Sequence, residues 1–384
     1  MSDIKKGKRF SPSLCVTHLC NLNCIYCYQK HDGVNRMTFE TAKNCVDWIF
    51  SHVPEDMYGV ELSFIGGEPL LEFDLEKELF EYCEKSHSNY PYIFYATTNG
   101  TLLDDKKKDW FSKHKDKFVL GLSLDGMPDT HNHNRSNSYI QIDPQFFINT
   151  WPDQGIKMTI SDYSLLNLAD NIIYLHKLGF KEIDGVNLFE GTFDWSDEKY
   201  IRLIIPQLKK LVDFYVEHDE LQLDQMLGRQ IDMCEEENKV KRKWCGIGTG
   251  ALFFDTDGKQ YPCPFTTPMT FSQDKINDIL KTDFHDTNTF VDDDCFNNCY
   301  IYPVCPHCPG ANYLVKGTFK NRDRSKCRMQ KLITLFSADL LGRRIIKNRN
   351  CIPANRIFNT IVAITKIKEN ILPEFKEYEN LLNE

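Results

Sequence analysis

Residues 14–27 read LCVTHLCNLNCIYC, a short apolar run that passes directly into three closely spaced cysteines. Cys20, Cys24 and Cys27 follow a C-x3-C-x2-C spacing. Three thiolates on one tight loop can hold one face of a metal cluster and leave one coordination position without a protein ligand, whereas a fourth cysteine would close the site. The stretch therefore predicts a metal site directly after the first strand of the fold.

Six short β-rich runs alternate with helix-like segments on both sides of this loop. We predict strands at Leu14–Thr17, Val60–Ile65, Tyr92–Thr97, Phe118–Ser123, Lys157–Ile160 and Glu182–Leu188. Apolar residues at helical spacing predict amphipathic helices over Thr38–Val53, with Thr38 as the N-cap, and over Ser164–Leu178, with Gly179 after its end. Six β–α alternations predict an α/β fold with a parallel sheet, either doubly wound or curved into part of a barrel.

Three further motifs follow predicted strands two, three and four. They are GGEP at Gly66–Pro69, TTNG at Thr97–Gly100 and SLDG at Ser123–Gly126. Chemistry collects at the carboxyl ends of strands in parallel barrels, so we expect these loops to lie beside the cysteine loop. Their positions disfavour the alternative of a structural zinc site completed by His18 or His31.

The side chains of these loops suit one kind of ligand. The pair Gly66–Gly67 would permit close approach of backbone to a ligand, and Glu68 could bind an ammonium group. Ser123 and Asp125 could hydrogen-bond ribose hydroxyls, and Arg135 could pair with a carboxylate. An ammonium, a carboxylate and a ribose occur together in S-adenosylmethionine.

With an aromatic residue, Tyr26, before the last cysteine of the motif and GGEP as a second signature, the sequence resembles the radical SAM superfamily over about residues 13–193. The resemblance implies a [4Fe–4S] cluster on the three cysteines, S-adenosylmethionine chelated by the unique iron, and a 5′-deoxyadenosyl radical that abstracts a substrate hydrogen. It implies a partial (β/α)6 TIM-type barrel. The cofactor-binding residues that we carry over are Tyr26, Gly66, Gly67, Glu68, Asn99, Ser123, Asp125 and Arg135.

A second cysteine-rich region follows the predicted barrel. Its cysteines are Cys245, Cys263, Cys295, Cys299, Cys305, Cys308 and Cys327. The sequence ALFFDTDGKQYP predicts a hairpin that turns at Asp257–Gly258. Too little apolar sequence lies here for a conventional core, so we expect this region to need metal to fold. One or two zinc sites are an alternative to iron–sulfur clusters.

Attached to a radical SAM barrel, this region resembles a SPASM domain, which carries two auxiliary [4Fe–4S] clusters and would bring the total to three. The resemblance assigns the outer cluster to Cys295, Cys299, Cys305 and Cys327, and the inner one to Cys245, Cys263 and Cys308. The four-cysteine run has x3, x5, x2 spacing where x2, x5, x3 is common, so the partition of its last two cysteines stays open. With seven cysteines, the inner cluster would keep an open iron, take a non-cysteine ligand or recruit Cys234.

We predict three domains: a barrel at 1–235, a cluster domain at 236–330 and a helical tail at 331–384 interrupted at Pro353 and Pro373. The net charge of −9 disfavours a nucleic-acid partner. The polar N-terminus and the lack of about 18 consecutive apolar residues predict a cytoplasmic protein without signal peptide or membrane span. The other cysteines are expected to be buried apolar residues; they are Cys15, Cys45, Cys83 and Cys351.

The two-part resemblance implies an oxidoreductase that modifies peptides or proteins and takes electrons from a flavodoxin- or ferredoxin-type donor. We favour maturation of a ribosomally made, possibly cysteine-containing peptide, with formation of a thioether or another side-chain crosslink. Formylglycine formation in a sulfatase is an alternative, but the sulfatase-maturing family carries aspartate after the hairpin cysteine, where Pro264 follows Cys263 here. Fourteen residues precede Cys15, so a leader-binding module is expected to be absent or supplied by another chain. Leader recognition would then fall to a sheet edge, the C-terminal tail or a separate partner. A non-catalytic metal scaffold is the third alternative.

Overall fold

The structure is a computed structural model that describes residues 9–29, 34–188, 193–235 and 239–383. It divides into two compact units. The first contains residues up to 124, 131–154 and 245–286, and the second contains 125–130, 155–244 and 287 onward. The boundaries proposed after residues 235 and 330 stay predictions.

The described strands include all six that the sequence predicts. They are β1 (Arg9–Phe10), β2 (Ser13–Thr17), β3 (Gly59–Gly66), β4 (Tyr92–Thr98), β5 (Phe118–Leu122), β6 (Ile156–Ile160), β7 (Ile183–Leu188), β8 (Phe253–Phe254) and β9 (Gln260–Tyr261). The first unit holds a seven-stranded sheet in the order β5-β4-β3-β2-β8-β9, with β1 also paired to β3. Strands β2 to β5 pair in parallel, as predicted.

The helices alternate with these strands and then continue without strands to the end of the described chain. They are α1 (Phe39–Ser51), α2 (Phe73–Ser86), α3 (Asp105–His114), α4 (Pro128–Asn134), α5 (Pro144–Thr150), α6 (Leu168–Leu178), α7 (Glu198–Glu217), α8 (Gln273–Ile279), α9 (Asp293–Asn298), α10 (Pro309–Lys316), α11 (Cys327–Lys347), α12 (Ala354–Ile371) and α13 (Glu379–Asn383). None of these described helices is long and apolar enough to cross a bilayer.

The core of the first unit is built on an aromatic row that crosses three neighbouring strands. Phe64, Phe94 and Phe118 are fully buried, and each ring centroid lies 5.5–5.8 Å from the others. Phe80 of α2 and Phe111 of α3 pack on the same row. The row lies on the face of the sheet that α2 and α3 cover, and buried residues therefore alternate with partly exposed ones along β3 and β4.

Both predicted helix boundaries are confirmed. The Thr38 hydroxyl accepts a hydrogen bond from the Thr41 amide at the start of α1. Gly179 ends α6 with φ +116, a left-handed conformation that glycine adopts without strain. The first turn predicted for that helix, Ser164–Asn167, is a 3-10 turn.

The hairpin predicted at Asp257–Gly258 is confirmed, and its first strand extends the barrel sheet. Strand β8 pairs antiparallel with β9 and parallel with β2. Gly258 turns the chain with φ +80, and the Asp255 amide donates to the Lys259 carbonyl. The spacing of the cysteines predicts that this hairpin belongs to the cysteine-rich region, whereas its hydrogen bonds join it to β2, the strand that precedes the cysteine loop.

The second unit contains the β6–β7 pair and the long helices of the C-terminal tail. The tail is helical as predicted, with breaks at Pro353 and Pro373. The Arg344 guanidinium of α11 donates to the carbonyls of Tyr215, His218 and Leu221, at and after the end of α7. These bonds satisfy carbonyls that the helix itself leaves without partners.

Candidate active site

The cysteine loop begins where β2 ends, at Thr17, and three neighbouring strands end beside it. Gly66 closes β3, Thr98 closes β4 and Ser123 follows β5. Because these strands are adjacent and parallel, the motifs that follow them share one edge of the sheet. The prediction that the four motifs lie at carboxyl ends of strands is confirmed.

The two glycines of GGEP let that loop pack directly under the cysteine loop. A Cβ atom on Gly66 would lie 2.2 Å from the Thr17 carbonyl oxygen, and one on Gly67 would lie 2.2 Å from the Leu19 carbonyl oxygen. The Gly67 amide donates to the Thr17 carbonyl at 3.1 Å. The neighbour that requires glycine here is therefore the backbone of the cysteine loop. The close approach to a ligand that the sequence suggested stays a prediction.

Glu68 is the buried acid of the site and ties two loops together. Its carboxylate accepts hydrogen bonds from the Thr98 hydroxyl at 2.7 Å, the Asn99 amide at 2.8 Å and the Leu70 amide at 3.2 Å. Burial raises the pKa of Glu68 to about 7, although these donors and the Arg135 charge act in the opposite direction. The carboxylate is thus engaged within the protein, and its binding of an ammonium group stays a prediction.

Asn99 contacts the cysteine loop itself. Its side-chain amide donates to Asn21 Oδ1 at 2.9 Å, and Asn21 in turn donates to the Thr101 hydroxyl at 2.8 Å. Asn21 lies between Cys20 and Cys24 and was missed by the sequence analysis. Its position inside the cysteine spacing is the signal that could have identified it.

The aromatic residue of the cysteine motif packs against a buried arginine. Tyr26 is buried, and the Arg135 guanidinium lies 5.3 Å from the centre of its ring, within the range of a cation–π contact. The Ile25 amide donates to the Asn134 carbonyl, and the Asn23 amide donates to the Ser136 hydroxyl. The segment that carries Arg135 therefore packs along one side of the cysteine loop.

The three thiols lie close enough to influence one another's ionisation. Burial raises the pKa of Cys20 to about 11, and the charges of Glu68, Cys24 and Cys27 raise it further. Burial also raises the pKa of Cys27, while the Arg135 charge lowers it. Metal ligation requires thiolates and deprotonates a coordinating thiol. The donor set, three thiols on one partly exposed loop, fits a cluster with one iron left without a protein ligand.

Residues 14–204 match the model of the Radical SAM superfamily. The chain belongs to the radical SAM superfamily. It therefore uses a [4Fe–4S] cluster and S-adenosylmethionine.

Relatives of this radical SAM enzyme include proteins of known and unknown role. An uncharacterised protein of Methanocaldococcus jannaschii is 28% identical over 258 residues, 65% of this chain and 82% of that protein. The cysteine-type anaerobic sulfatase-maturating enzyme of Clostridium perfringens is 26% identical over 294 residues, 70% of this chain and 78% of that enzyme. The antilisterial bacteriocin subtilosin biosynthesis protein AlbA of Bacillus subtilis is 24% identical over 281 residues, 71% of this chain and 57% of that protein.

Two solved structures share its fold. That of anSMEcpe with bound AdoMet has a TM-score of 0.66 at 20% identity and covers 92% of this chain and 98% of its own. That of Streptococcus suis SuiB bound to precursor peptide SuiA has a TM-score of 0.55 at 16% identity, and the match covers 83% of this chain and 75% of SuiB. The α/β radical SAM fold expected from the sequence is therefore confirmed.

Asp125, which the sequence assigned to a ribose hydroxyl of the cofactor, is fully buried in the second unit of this radical SAM enzyme. Its carboxylate accepts a hydrogen bond from the Thr159 amide of β6 at 3.1 Å. Gly126 beside it has φ +106, and a Cβ there would lie 2.3 Å from the Asn171 side chain. Ser123, in the first unit, donates its amide to the Thr98 carbonyl. The ribose contacts stay predictions.

The second polar pair that sequence reasoning missed joins the cysteine loop to the hairpin. His18 Nε2 lies 2.5 Å from Asp255 Oδ1, and both side chains are largely buried. Burial and, to a smaller extent, the Asp255 charge raise the pKa of the neighbouring Cys15 thiol. Because 237 residues separate His18 from Asp255, no local pattern connects them. His18 is therefore engaged by a carboxylate, and His31, the other residue of the zinc alternative, lies outside the described residues.

The hairpin brings its two cysteines together. The charge of Cys245 contributes to the raised pKa of Cys263, whose main cause is burial. The Cys263 amide donates to the Thr266 hydroxyl at 3.2 Å. Cys308, the third residue assigned to the inner cluster, caps α10, where its sulfur accepts from the Ala311 amide at 3.5 Å.

Four cysteines of the second unit line one cavity of about 380 Å³; they are Cys295, Cys299, Cys305 and Cys327. These are the four that the sequence assigned to the outer cluster. Burial raises the pKa of the Cys327 thiol, and the charges of Cys305 and Cys299 raise it further. Burial, together with the charges of Glu235 and Cys299, raises the pKa of Cys234 to about 12, so a fifth thiol lies near Cys299.

Basic and imidazole side chains share this cavity with the cysteines. Arg322, Arg324 and Lys326 line it. His307 lines it too, and burial together with the charges of Arg322 and Lys326 lowers the pKa of its ring. Cations beside the cavity suit the negative charge of a thiolate-ligated cluster. Of the remaining cysteines, Cys45 and Cys83 are buried on helices as predicted, and Cys351 is half-buried.

Proposed function

We propose that this radical SAM enzyme abstracts hydrogen from a ribosomally made peptide and forms a thioether or another side-chain crosslink. The observation that carries the catalytic part is the loop of Cys20, Cys24 and Cys27, packed against GGEP at the shared edge of the sheet. When bound there, the cluster and S-adenosylmethionine supply a 5′-deoxyadenosyl radical. The protein's own part is to hold three thiolates on a fixed loop and leave the fourth position to the cofactor.

Side chains around the loop suit the polar groups of S-adenosylmethionine. We assign the methionyl carboxylate to Arg135, whose charge acts on both Cys27 and Glu68. Glu68 has an acceptor face for the ammonium group, since a carboxylate can accept about four hydrogen bonds and three are used within the protein. Tyr26 and Asn99 hold the loop in place, and Ser123 and Asp125 remain proposed for the ribose.

We assign an auxiliary [4Fe–4S] cluster to the cavity of Cys295, Cys299, Cys305 and Cys327. The four thiols line one volume, which supports this partition over one that gives Cys308 to the outer cluster. We assign Cys245, Cys263 and Cys308 to the inner cluster. The non-catalytic scaffold is not proposed, because the superfamily is enzymatic.

The substrate class rests on two supports. Relatives include a bacteriocin biosynthesis protein, and the chain shares its fold with SuiB, which has been solved with a precursor peptide. Cys263 is followed by Pro264 and not by an acid, and the Asp255 carboxylate of the hairpin is engaged with His18. A separate leader-binding protein and a flavodoxin- or ferredoxin-type electron donor are part of this proposal.

Formylglycine formation is a second candidate, favoured by the 26% identity to a sulfatase-maturating enzyme over 70% of the chain. One experiment separates the two. The purified enzyme, reconstituted without oxygen, is given S-adenosylmethionine, a reductant and either a short cysteine-containing peptide encoded beside its gene or the Cp18Cys peptide used with anSMEcpe. Peptide maturation predicts loss of the mass of two hydrogens per crosslink in the first peptide alone. Conversion of Cp18Cys to an aldehyde that reacts with a hydrazide would support the sulfatase function instead.

A further inference from the structure

His307 occupies an unusual place in the cavity that the four cysteines line. It stands between Cys305 and Cys308 in the sequence CPHC, and 3% of its surface is exposed. Neither ring nitrogen makes a hydrogen bond of normal geometry to a described residue, and the Cys305 backbone is the one hydrogen-bonding group that acts on the pKa of the ring. The indole of Trp244 lies 6.0 Å from the imidazole, centroid to centroid.

Such burial is costly when a polar group stays unpaired. A buried donor or acceptor without a partner costs about 1–3 kcal/mol, and most buried polar groups therefore have one. Arg322, which lines the same cavity, likewise has a buried Nε without a partner. Two buried nitrogen-bearing side chains thus border a volume that four thiols also border. A group with several sulfur acceptors in that volume would satisfy them.

We propose that His307 donates an N–H hydrogen bond to a sulfur atom of the cluster held by Cys295, Cys299, Cys305 and Cys327, and thereby raises its reduction potential. The inference rests on the auxiliary cluster of the proposed function. Four cysteines already supply the four ligands that such a cluster takes, which leaves the imidazole the role of donor. A donor to sulfur stabilises the more negative, reduced form, and hydrogen bonds to sulfur are among the means by which proteins set cluster potentials.

The test compares reduction potentials in the reconstituted full-length enzyme. His307→Leu removes the donor, and His307→Gln keeps an N–H at similar reach. His285→Leu, at an exposed position, is the matched control. Midpoint potentials of the auxiliary clusters are followed by electron paramagnetic resonance during a redox titration. A hydrogen bond to a charged group changes an equilibrium about tenfold, which is about 59 mV for one electron. We expect one midpoint to fall by about that amount in His307→Leu and to recover in His307→Gln.

A second measurement uses the wild-type enzyme and so does not depend on whether a variant folds. In enzyme labelled with [15N]histidine, a weak nitrogen coupling to one reduced cluster is expected from a hydrogen-bonded ring. A strong coupling would show that the ring ligates iron, and no coupling would show that it does not reach the cluster; either result overturns the donor role. Unchanged midpoints in His307→Leu would overturn it as well.

Failure of the underlying proposal would look different. If the double variant Cys299→Ala/Cys327→Ala retained all the iron of the wild type, the auxiliary cluster itself would be refuted. If that variant lost iron but His307→Leu left the midpoint potentials unchanged, only the proposed role of the histidine would be refuted.

Discussion

The two cysteine regions offer the same ligand chemistry but are built in opposite ways. Hydrogen bonds within the chain hold the loop of Cys20, Cys24 and Cys27 in place. They join it to the loop of Asn99, through Asn21, to the loop of Glu68 and to the segment that carries Arg135. The cavity of the second region is lined by residues of α9, of a 3-10 helix and of the long helices α11 and α12, and by buried nitrogens without hydrogen-bond partners. The sheet positions the first region, and we expect the second region to depend on the group that fills its cavity.

The largest expected effect concerns the second region. Cys299→Ala/Cys327→Ala should lower iron by about four atoms per chain and increase amide hydrogen exchange over residues 287–327, because metal binding is coupled to the folding of the segment that supplies the ligands. The sequence expectation of too little apolar core is wrong here, since Val291, Cys295 and Tyr302 form a buried cluster in this segment. Exchange over 14–27 should stay as in the wild type. Cys351→Ala, which removes a half-buried cysteine outside the cavity, is the control and should keep the iron. If residues 287–327 were equally protected from amide hydrogen exchange with and without metal, the proposed difference between the two cysteine regions would be contradicted.

The scaffold of the first region should fail when its close packing is disturbed. In Gly67→Ala the new Cβ would meet the Leu19 carbonyl oxygen at 2.2 Å, so the cysteine loop has to move. A displacement of about 1 Å can cost about 100-fold in rate, and we expect at least that loss in 5′-deoxyadenosine formation. The control is Gly250→Ala, where the nearest atom lies 3.9 Å away. Full activity of Gly67→Ala would show that the glycine is not needed for packing.

The buried acid of the first region gives a pH signature. The pKa of Glu68 is about 7 in the folded protein and 4.5 ordinarily, so between these values the folded state holds a proton that the unfolded state has lost. The free energy of unfolding should therefore fall as the pH rises from about 4.5 to about 7, by on the order of 3 kcal/mol. Glu68→Gln should lose this contribution and keep those of Glu76 and Asp224, whose pKa values burial also raises. Urea unfolding at several pH values would measure it, with the exposed Glu55→Gln as control, and equal slopes in wild type and Glu68→Gln would contradict it.

The smallest effect is expected at the wall of the cysteine loop. Arg135→Lys keeps the charge but loses the planar guanidinium that lies over Tyr26. A cation–π contact is worth about 0.5–2 kcal/mol, so KM for S-adenosylmethionine should rise about two- to thirtyfold. Initial rates of 5′-deoxyadenosine formation across cofactor concentrations would measure the change. Arg9→Lys, at the start of the sheet, should leave KM unchanged, and an unchanged KM in Arg135→Lys would remove the arginine from the cofactor site.

Local patterns in the sequence were sufficient for the strands, the helix caps and the order of the four motifs. Alternation of apolar residues and short-range spacing determine these features, and they appear where predicted. The network that holds the cysteine loop was not accessible in the same way. The bond between Asn21 and Asn99 joins different loops, and His18 meets Asp255 across 237 residues. Such contacts depend on how strands are brought together, which a single sequence does not encode locally.

The glycines also show that the sequence predicts a local feature but not the atoms that it contacts. Sequence reasoning identified Gly66 and Gly67 as sites of close approach, and they are, but the atoms they approach belong to Thr17 and Leu19. For His307 the sequence offered no signal beyond its place between two cysteines. Its interest comes from burial without a partner, and that property exists only in the folded chain.

The central claim is that the loop of Cys20, Cys24 and Cys27 holds the cluster that cleaves S-adenosylmethionine, independently of the second cysteine region. The most direct measurement is 5′-deoxyadenosine formation, with iron content, in oxygen-free wild-type enzyme and in a variant with alanine at all three positions. We predict product in the wild type, and in the variant no product but retained iron in the second region. Product formation by the variant, or loss of all iron from it, would contradict the account.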